Sequence, residues 1–230
     1  MASKKKKVVK KDISKNEEFT NKKLGRKQDK QVKGIIWFMV IVLGILVLVL
    51  LANSLSNKFT YKGIRFEKNR YGEIILYSAE VPVVNYLGEV VAYINADFRK
   101  DPRTLKDIHL ETGEIRFLRD SITYLSVDPK IEECEDSGIA IINLGRFIKS
   151  SGLNLKLSSL DAEHAERENL EHVTCENSPN NTVIVVEQGI DNFLYKKTDN
   201  CYIIEFKDCD VISVTERFEL AILEQHVAEI

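Results

Sequence analysis

The chain has 230 residues, which is enough for one ordinary domain and an anchor. Its net charge of −2 conceals an asymmetry: residues 1–33 hold 13 Lys or Arg against 4 Asp or Glu, whereas the rest of the chain holds 20 against 31. The two parts therefore carry net charges of +9 and −11, which excludes a uniform environment. We expect the two parts to meet different surroundings.

The first segment, residues 1–33, is a Lys-rich tail with few apolar side chains to bury, so we expect it to be disordered. Its Lys residues predict electrostatic contact with anionic lipid headgroups. Docking to a protein is an alternative. A nucleic-acid interface is disfavoured, because the tail has few aromatic residues for base stacking and only Arg26 as a guanidinium.

An apolar segment follows, and we predict a transmembrane helix over residues 34–53. The run from Ile35 to Ala52 contains 18 residues without a charge or a Pro. At ~1.5 Å per residue such a helix spans ~27 Å, close to the ~30 Å hydrocarbon core of a bilayer. A buried core helix and a cleaved signal peptide, with Ala52 and Ser54 near the cleavage site, are the alternatives.

The basic residues that flank this segment predict its orientation. Thirteen Lys or Arg precede it, whereas Lys58, Lys62 and Arg65 follow it closely. Because flanking Lys and Arg stay in the cytosol, we expect a single-pass cell-membrane protein with a cytosolic N-terminus and an extracytosolic C-terminal domain.

The C-terminal part reads as a polar linker, 54–63, followed by a folded domain, 64–230. Segments rich in β-branched and aromatic residues, bounded by turn residues, predict strands. In chain order they are Ile64–Phe66, Ile74–Tyr77, Val90–Ile94, Ile115–Phe117, Ile122–Val127, Leu153–Leu157, Val183–Val186 and Cys201–Phe206.

Two helices are predicted between and after these strands. Ala140, Leu144, Phe147 and Ile148 fall on one face of a helix from about residue 137 to 150, and a final helix capped by Thr215 runs to about Ala228. Strand 122–127, helix 137–150 and strand 153–157 form a βαβ pattern. The predicted fold class is therefore membrane-anchored mixed α/β (α+β), with one sheet covered by two principal helices. Two lobes, 64–129 and 130–230, are an alternative arrangement.

All four cysteines (Cys134, Cys175, Cys201 and Cys209) lie beyond the apolar segment. An even number outside the cytosol predicts up to two disulfides, with three connectivities open, and buried free thiols are the alternative. One acceptor sequence for N-glycosylation, at Asn180, lies in a stretch that reads as a loop.

Two groups of polar residues are candidate ligand sites. His164, Glu168 and His172 are spaced i, i+4 and i+8, which on a helix would align them for a divalent metal. A solvated helix face is the favoured interpretation, so we expect no metal and no cofactor. Asp97, Arg99, Asp101 and Arg103 alternate in a loop that would contact a charged ligand or pair internally.

No motif in the sequence identifies a reaction, and no catalytic residue is predicted. The pattern favours a non-enzymatic domain that presents a binding or assembly surface to a protein partner outside the cytosol. An anchored enzyme, such as a hydrolase of envelope polymers, is the main alternative, and a ligand sensor is a third. A His within about 3 Å of a nucleophile in a pocket would favour the enzyme, whereas an exposed apolar patch would favour the partner surface.

Overall fold

The computed structural model describes residues 33, 36–48, 57–84, 87, 89–118 and 120–228. The chain falls into two compact units, residues 1–56 and 57–230. In the first unit, residues 36–48 are helical (α1), and all of these residues are exposed. The tail and its predicted lipid contact lie outside the described residues, apart from residue 33.

The predicted fold class, with a transmembrane helix over residues 34–53, is wrong. Among the described residues, no helix is long and apolar enough to cross a membrane. The described part of α1 holds 13 residues, about 20 Å at the usual helical rise. Residues 34–35 and 49–53 of the predicted span lie outside the described part of the chain.

In the second unit the described residues form eleven strands and three α-helices. The strands are β1 (Lys58–Tyr61), β2 (Ile64–Tyr71), β3 (Ile74–Val84), β4 (Val90–Phe98), β5 (His109–Glu111), β6 (Ile122–Val127), β7 (Asn154–Ser159), β8 (Glu171–His172), β9 (Thr182–Gln188), β10 (Phe193–Thr198) and β11 (Cys201–Phe206). The helices are α2 (Ser137–Ser150), α3 (Ala162–Arg167) and α4 (Val211–Ala228).

Strands β1 to β4 form an antiparallel meander, which we call sheet A. The two-residue turn between β1 and β2 is Lys62-Gly63, and both residues have positive φ, 51° and 81°. Turns with positive φ at both central positions match the twist of a hairpin, and Gly adopts that conformation without steric cost. The predicted linker 54–63 therefore contains an ordered strand, β1, which the sequence analysis missed.

The other seven strands form sheet B, in the order β5-β10-β11-β9-β6-β7-β8. Strands β11, β9, β6, β7 and β8 are parallel, and β10 runs antiparallel to β11. The predicted βαβ unit is confirmed, because α2 connects β6 to its parallel neighbour β7. Strand β9 is a continuous apolar run because it is buried on both faces, as is typical of parallel strands.

The prediction of one sheet covered by two helices is wrong: there are two sheets, and α2 and α4 each contact both of them. One continuous core contains apolar residues from both sheets and from both helices. The predicted faces are confirmed, since Leu144, Phe147 and Phe218 are among its buried residues. The early strands form a sheet of their own, which packs on α2 and α4.

The opposite face of sheet B has a smaller apolar cluster. Val183, Val185 and Ile203 pack there against Val173 and Cys175, which belong to the segment after β8. This segment, residues 173–177, is otherwise polar. It covers the sheet with few apolar side chains, and a disulfide adds to that attachment.

Two disulfides are present, Cys134–Cys209 and Cys175–Cys201, with Cα–Cα distances of 5.3 and 5.7 Å. The first joins the loop before α2 to the loop before α4, and the second joins the segment after β8 to the start of β11. They close loops of 75 and 26 residues. In the chain-entropy description, loops of this size stabilise a domain by about 4.5 and 3.5 kcal/mol.

Two local predictions are wrong for identifiable reasons. Residues 115–117 are not a strand, because side chains rather than a neighbouring strand bind their backbone: Gln225 accepts from the N–H of Ile115 and Tyr202 from that of Arg116. Thr215 does not cap α4, which begins at Val211, and its hydroxyl instead donates to the carbonyl of Val211 at 2.9 Å.

Replacing Phe218 by Ala is expected to lower the free energy of unfolding by about 3–5 kcal/mol. Phe218 is 0% exposed, so its removal loses the transfer free energy of the ring and leaves a cavity. Urea unfolding of the purified protein measures this loss. Ile190→Ala, at a side chain that is 84% exposed, is the control and should change stability by less than about 0.5 kcal/mol.

Mass spectrometry of the unreduced protein is expected to find the peptide pairs 134–209 and 175–201. The reason is geometric, because the Cα atoms of each pair lie at the separation that a disulfide spans. Four thiols that react with an alkylating reagent before reduction, or a pair linking Cys134 to Cys175, would contradict the arrangement.

Candidate functional site

A cleft of about 430 Å³ lies at the carboxyl ends of β6 and β7, between α2 and α3. In sheets with parallel strands, this edge is where ligands usually bind. The walls of the cleft are mainly apolar, and Ile142 and Leu157 expose about half of their side chains at this surface. The other apolar residues of the cleft are Val127, Ile131, Ile141 and Leu170.

The polar part of the cleft is a chain of three side chains. The hydroxyl oxygen of Ser159 lies 3.2 Å from Nδ1 of His164, and Nε2 of His164 lies 3.0 Å from Oε1 of Glu132. Ser159 and His164 are buried, whereas the Glu132 side chain is largely exposed. A nucleophile, a base and an acid are thus aligned across the two nitrogens of one imidazole.

Local structure explains why these side chains meet. Ser159 is the last residue of β7, and Asp161 follows as the N-cap of α3, its carboxylate accepting the backbone N–H of His164 at 2.7 Å. The first turn of α3 therefore places the imidazole of His164 beside the end of β7. Glu132 comes from the short 3-10 helix Pro129–Glu133, which directly follows β6.

The hydrogen-bond network also assigns a proton arrangement. Ser159 accepts the backbone N–H of Asp161 at 3.2 Å, so its own O–H is available to donate to Nδ1 of His164. Nε2 then carries the imidazole proton and donates it to Glu132. Such a tautomer follows from the partners of the ring and is the one in which His164 accepts a proton from a hydroxyl.

The three metal candidates do not come together. Helix α3 ends at Arg167, so the helical spacing of His164, Glu168 and His172 is not realised. His164 faces Ser159, whereas His172 lies in β8 and its Nε2 is 3.1 Å from the carbonyl of Leu160. Within the described part of the chain, no group of three or more His, Cys, Asp or Glu is placed to hold a metal ion.

The alternating charges of residues 97–103 pair with other groups of the protein. Arg103 donates from Nε and Nη2 to the carboxylate of Asp101, at 2.9 and 2.5 Å, and this hydrogen bonding holds the pKa of Asp101 below its usual range. Arg99 donates to Asp136 at 3.1 Å, and Asp97 accepts the hydroxyl of Ser78 at 2.5 Å. The two Arg side chains thus already have carboxylate partners.

Asn180 lies in an exposed turn before β9. Thr182, the third residue of its acceptor sequence, is buried at the start of β9 and its hydroxyl oxygen accepts the N–H of Leu118 at 2.9 Å. The folded chain therefore exposes the acceptor side chain and buries the residue that completes the sequence.

Two carboxyl groups are buried where α4 meets the end of sheet A. Glu216 accepts the backbone N–H groups of Arg99 and Lys100, at 2.5 and 2.9 Å. Burial raises the pKa of Glu216 to about 7, and these two N–H groups oppose the shift. Burial also raises the pKa of Glu219 well above its usual range, and the negative charges of Glu216 and Asp97 add to that effect.

The long edge of sheet A is a second candidate surface. Strand β4 forms one edge of this sheet, and Val90, Val91 and Tyr93 each expose half or more of their side chains on it. An edge strand presents unpaired backbone N–H and C=O groups to an incoming chain. The sequence predicts β4 as a strand, whereas its place at the edge follows only from the pairing of the strands.

The cleft was also not predicted, because its three polar residues are separated in the sequence. Ser159, His164 and Glu132 meet only when β6 and β7 pair and α3 folds against them. The one local signal is Ser-Leu-Asp after an apolar strand, where Asp161 is a suitable helix N-cap. His164 had been singled out as a metal candidate rather than as a base.

Replacing Glu219 by Gln is expected to flatten the dependence of stability on pH. Because folding raises the pKa of Glu219, the folded chain holds this proton more tightly than the unfolded chain. The resulting contribution to the free energy of unfolding is complete below about pH 4.5 and is lost as the pH rises through the raised pKa. Gln imitates the neutral acid. The variant should match the wild type at pH 4 and be more stable at pH 8.

Chemical denaturation across that pH range measures the difference. Glu163→Gln, at an exposed position on α3, is the control and should follow the wild type throughout. A Glu219→Gln profile parallel to that of the wild type would show that this carboxyl group does not titrate as its surroundings indicate.

Comparison of the chain with protein families, curated proteins and solved structures finds no match. The function must therefore be argued from the cleft and from the edge of sheet A.

Proposed function

We propose that the protein is an extracytosolic binding domain that docks a protein partner by adding a strand of that partner to β4. The observation that carries this proposal is a difference between the four sheet edges of the described chain. Strand β4 has nine residues, whereas the other edge strands, β1, β5 and β8, have four, three and two. Very short edge strands resist pairing with other chains, and β4 lacks that protection.

The side chains of β4 also favour an incoming strand. Its sequence, Val90–Phe98, contains one charged residue, Asp97, and no Lys, Arg or Pro, the residues that usually block an edge. The residues are alternately buried and exposed from Ile94 to Phe98, so its pleat is regular where the core begins. In strand addition, backbone hydrogen bonds supply affinity and alternate side chains supply specificity.

The partner's chemistry follows from the exposed residues. Tyr93 favours an apolar side chain opposite it on the added strand, because cross-strand apolar and aromatic pairs stabilise a sheet. Val91 adds an exposed apolar side chain at the bulge where the register of β4 against β3 shifts. Asp97 favours a Lys or Arg at the position opposite it. The proposed occupant is therefore an extended segment of another protein with alternating apolar residues and one basic residue at its end.

The location of the domain is part of the proposal. Two disulfides support an oxidising compartment, since such bonds persist outside the cytosol and are rare within it. The contact of the Lys-rich tail with membrane lipid remains a proposal on the charge of residues 1–33 alone.

A photo-crosslinking amino acid at Tyr93 is expected to capture one protein partner in intact cells, whereas the same group at Tyr71 is not. The two tyrosines are similarly exposed, 56% and 64%, and both belong to sheet A. Tyr71 lies on the inner strand β2, far along the sheet from the β4 edge. Mass spectrometry of the adducts identifies the partner segment that was captured.

The mode of binding is then tested with the purified partner segment. Its addition should slow amide hydrogen exchange in residues 90–98, and Val91→Lys should weaken binding at least tenfold, because an edge Lys opposes strand addition. Adducts from Tyr71 as abundant as those from Tyr93, or an adduct at Tyr93 between two copies of this chain, would refute the proposed partner.

A hydrolase activity is the second candidate function, and one observation favours it. A histidine lies 3.2 Å from a serine hydroxyl inside a cleft, which is the arrangement that a nucleophilic hydrolase requires.

A further inference from the structure

We infer that the cleft at the ends of β6 and β7 hydrolyses esters that carry an apolar acyl group, with Ser159 as nucleophile, His164 as general base and Glu132 as its orienting acid. The cleft belongs to sheet B and the proposed docking edge to sheet A. The inference therefore goes beyond the proposed function and is tested separately from it.

The first support is the order of the three groups. Ser159 and Glu132 contact opposite nitrogens of the His164 ring, at 3.2 and 3.0 Å. A base in this position accepts the hydroxyl proton at one nitrogen while its other N–H is held by a carboxylate, which fixes the tautomer and stabilises the imidazolium. These roles define the constellation wherever it occurs, independent of the order of the residues in the chain.

The second support is the rigidity of the base and the nucleophile. His164 is 9% exposed and its backbone is fixed by Asp161, while Ser159 sits at the end of a paired strand. Both nevertheless line the cleft, together with Glu132. Reacting groups held in one geometry lower the barrier because their orientation is established before the substrate arrives.

A source of oxyanion stabilisation lines the same cleft. Ser137 and Gly138 form the first turn of α2, a helix of 14 residues. The N–H of Ser137 already donates to the carbonyl of Cys134 at 3.2 Å, so the N–H of Gly138 is the proposed donor. The side chain of the N-cap residue, Asp136, makes no capping bond to this turn and instead accepts from Arg99. The backbone N–H groups of a helix start carry partial positive charge, which favours an oxyanion.

The walls of the cleft define the substrate class. Their apolar side chains suit an acyl chain, and a volume of about 430 Å³ lies within the range of small-molecule sites. Glu132 places negative charge at the rim, which opposes substrates that carry a phosphate or carboxylate, whereas the charge of Glu168 is offset by Arg167 at 3.4 Å. We therefore assign uncharged or cationic esters to the site.

The reaction needs water as its only co-reactant. The hydroxyl oxygen of Ser159 forms a bond to the carbonyl carbon while its proton passes to Nδ1 of His164. The bond from that carbon to the leaving oxygen then breaks, and His164 returns the proton to the departing alcohol. Water, deprotonated by the same nitrogen, attacks the acyl-serine, and the acid is released as Ser159 recovers its proton.

The full-length protein, purified in detergent, is assayed with p-nitrophenyl acetate, butyrate and octanoate and with a fluorophosphonate probe. We expect turnover that rises with acyl length and a covalent adduct on Ser159. Ser159→Ala should abolish the adduct and lower kcat/KM at least about 10³-fold. Glu132→Gln should lower kcat about 10- to 100-fold and leave KM nearly unchanged, because Glu132 acts through His164 and does not touch the substrate.

Ser126→Ala is the matched control. Ser126 is a buried serine of β6 whose hydroxyl donates to the carbonyl of Val173 at 2.6 Å, so its loss should affect stability without affecting turnover. Wild-type protein without turnover and without an adduct, an adduct on another residue, or full turnover by Ser159→Ala would overturn the inference. The three side chains would then serve only to hold α3 against the ends of β6 and β7, and crosslinking at Tyr93 would be unaffected by that result.

Discussion

Helix α4 is buried around its whole circumference, from Val211 to Leu223, apart from the half-buried Ile222. A helix of this kind needs apolar surface on every side, and a single sheet covers only one. Sheet B covers one face, α2 a second, and the meander of sheet A covers the face that remains. The strands before residue 100 are therefore part of the same core as the strands after residue 122, although they belong to a different sheet.

The burial of α4 also explains its unusual charged residues. Glu216 fits because two backbone N–H groups after β4 meet its carboxylate, and Glu219 fits because burial favours its neutral form. Glu216 specifies how the two layers meet, since a displacement of one strand position would leave its buried carboxylate without these two partners. Sheet A is thus attached to α4 by specific polar contacts in addition to apolar packing. These contacts fix the carboxyl end of β4, the edge strand of the sheet.

The sequence predicts the local elements better than their assembly. Cys201–Phe206, Ile122–Val127 and the helix 137–150 are found where β-branched runs and helical spacing place them. The second sheet escapes prediction because apolar alternation identifies the buried face of a strand without identifying what covers it. Residues 115–117 look like a strand because Ile115 and Phe117 alternate with a polar residue, but their backbone is bound by Gln225 and Tyr202, more than 80 residues away. The cleft depends on the same kind of distant contact between Ser159, His164 and Glu132.

The two disulfides divide the domain into a part that a pulling force can extend and a part that it cannot. All four half-cystines lie between residues 134 and 209, and the strands of sheet A, 58–98, carry none. Tension applied at residue 57 therefore meets no covalent crosslink before β4, and hairpins loaded from one end separate one hydrogen bond at a time. The polypeptide from Cys134 to Cys209 resists extension, because 75 residues are closed into one loop and 26 of them into another. Sheet A is thus the extensible layer of the domain, and a pull would release it in the order β1 to β4 and uncover one face of α4.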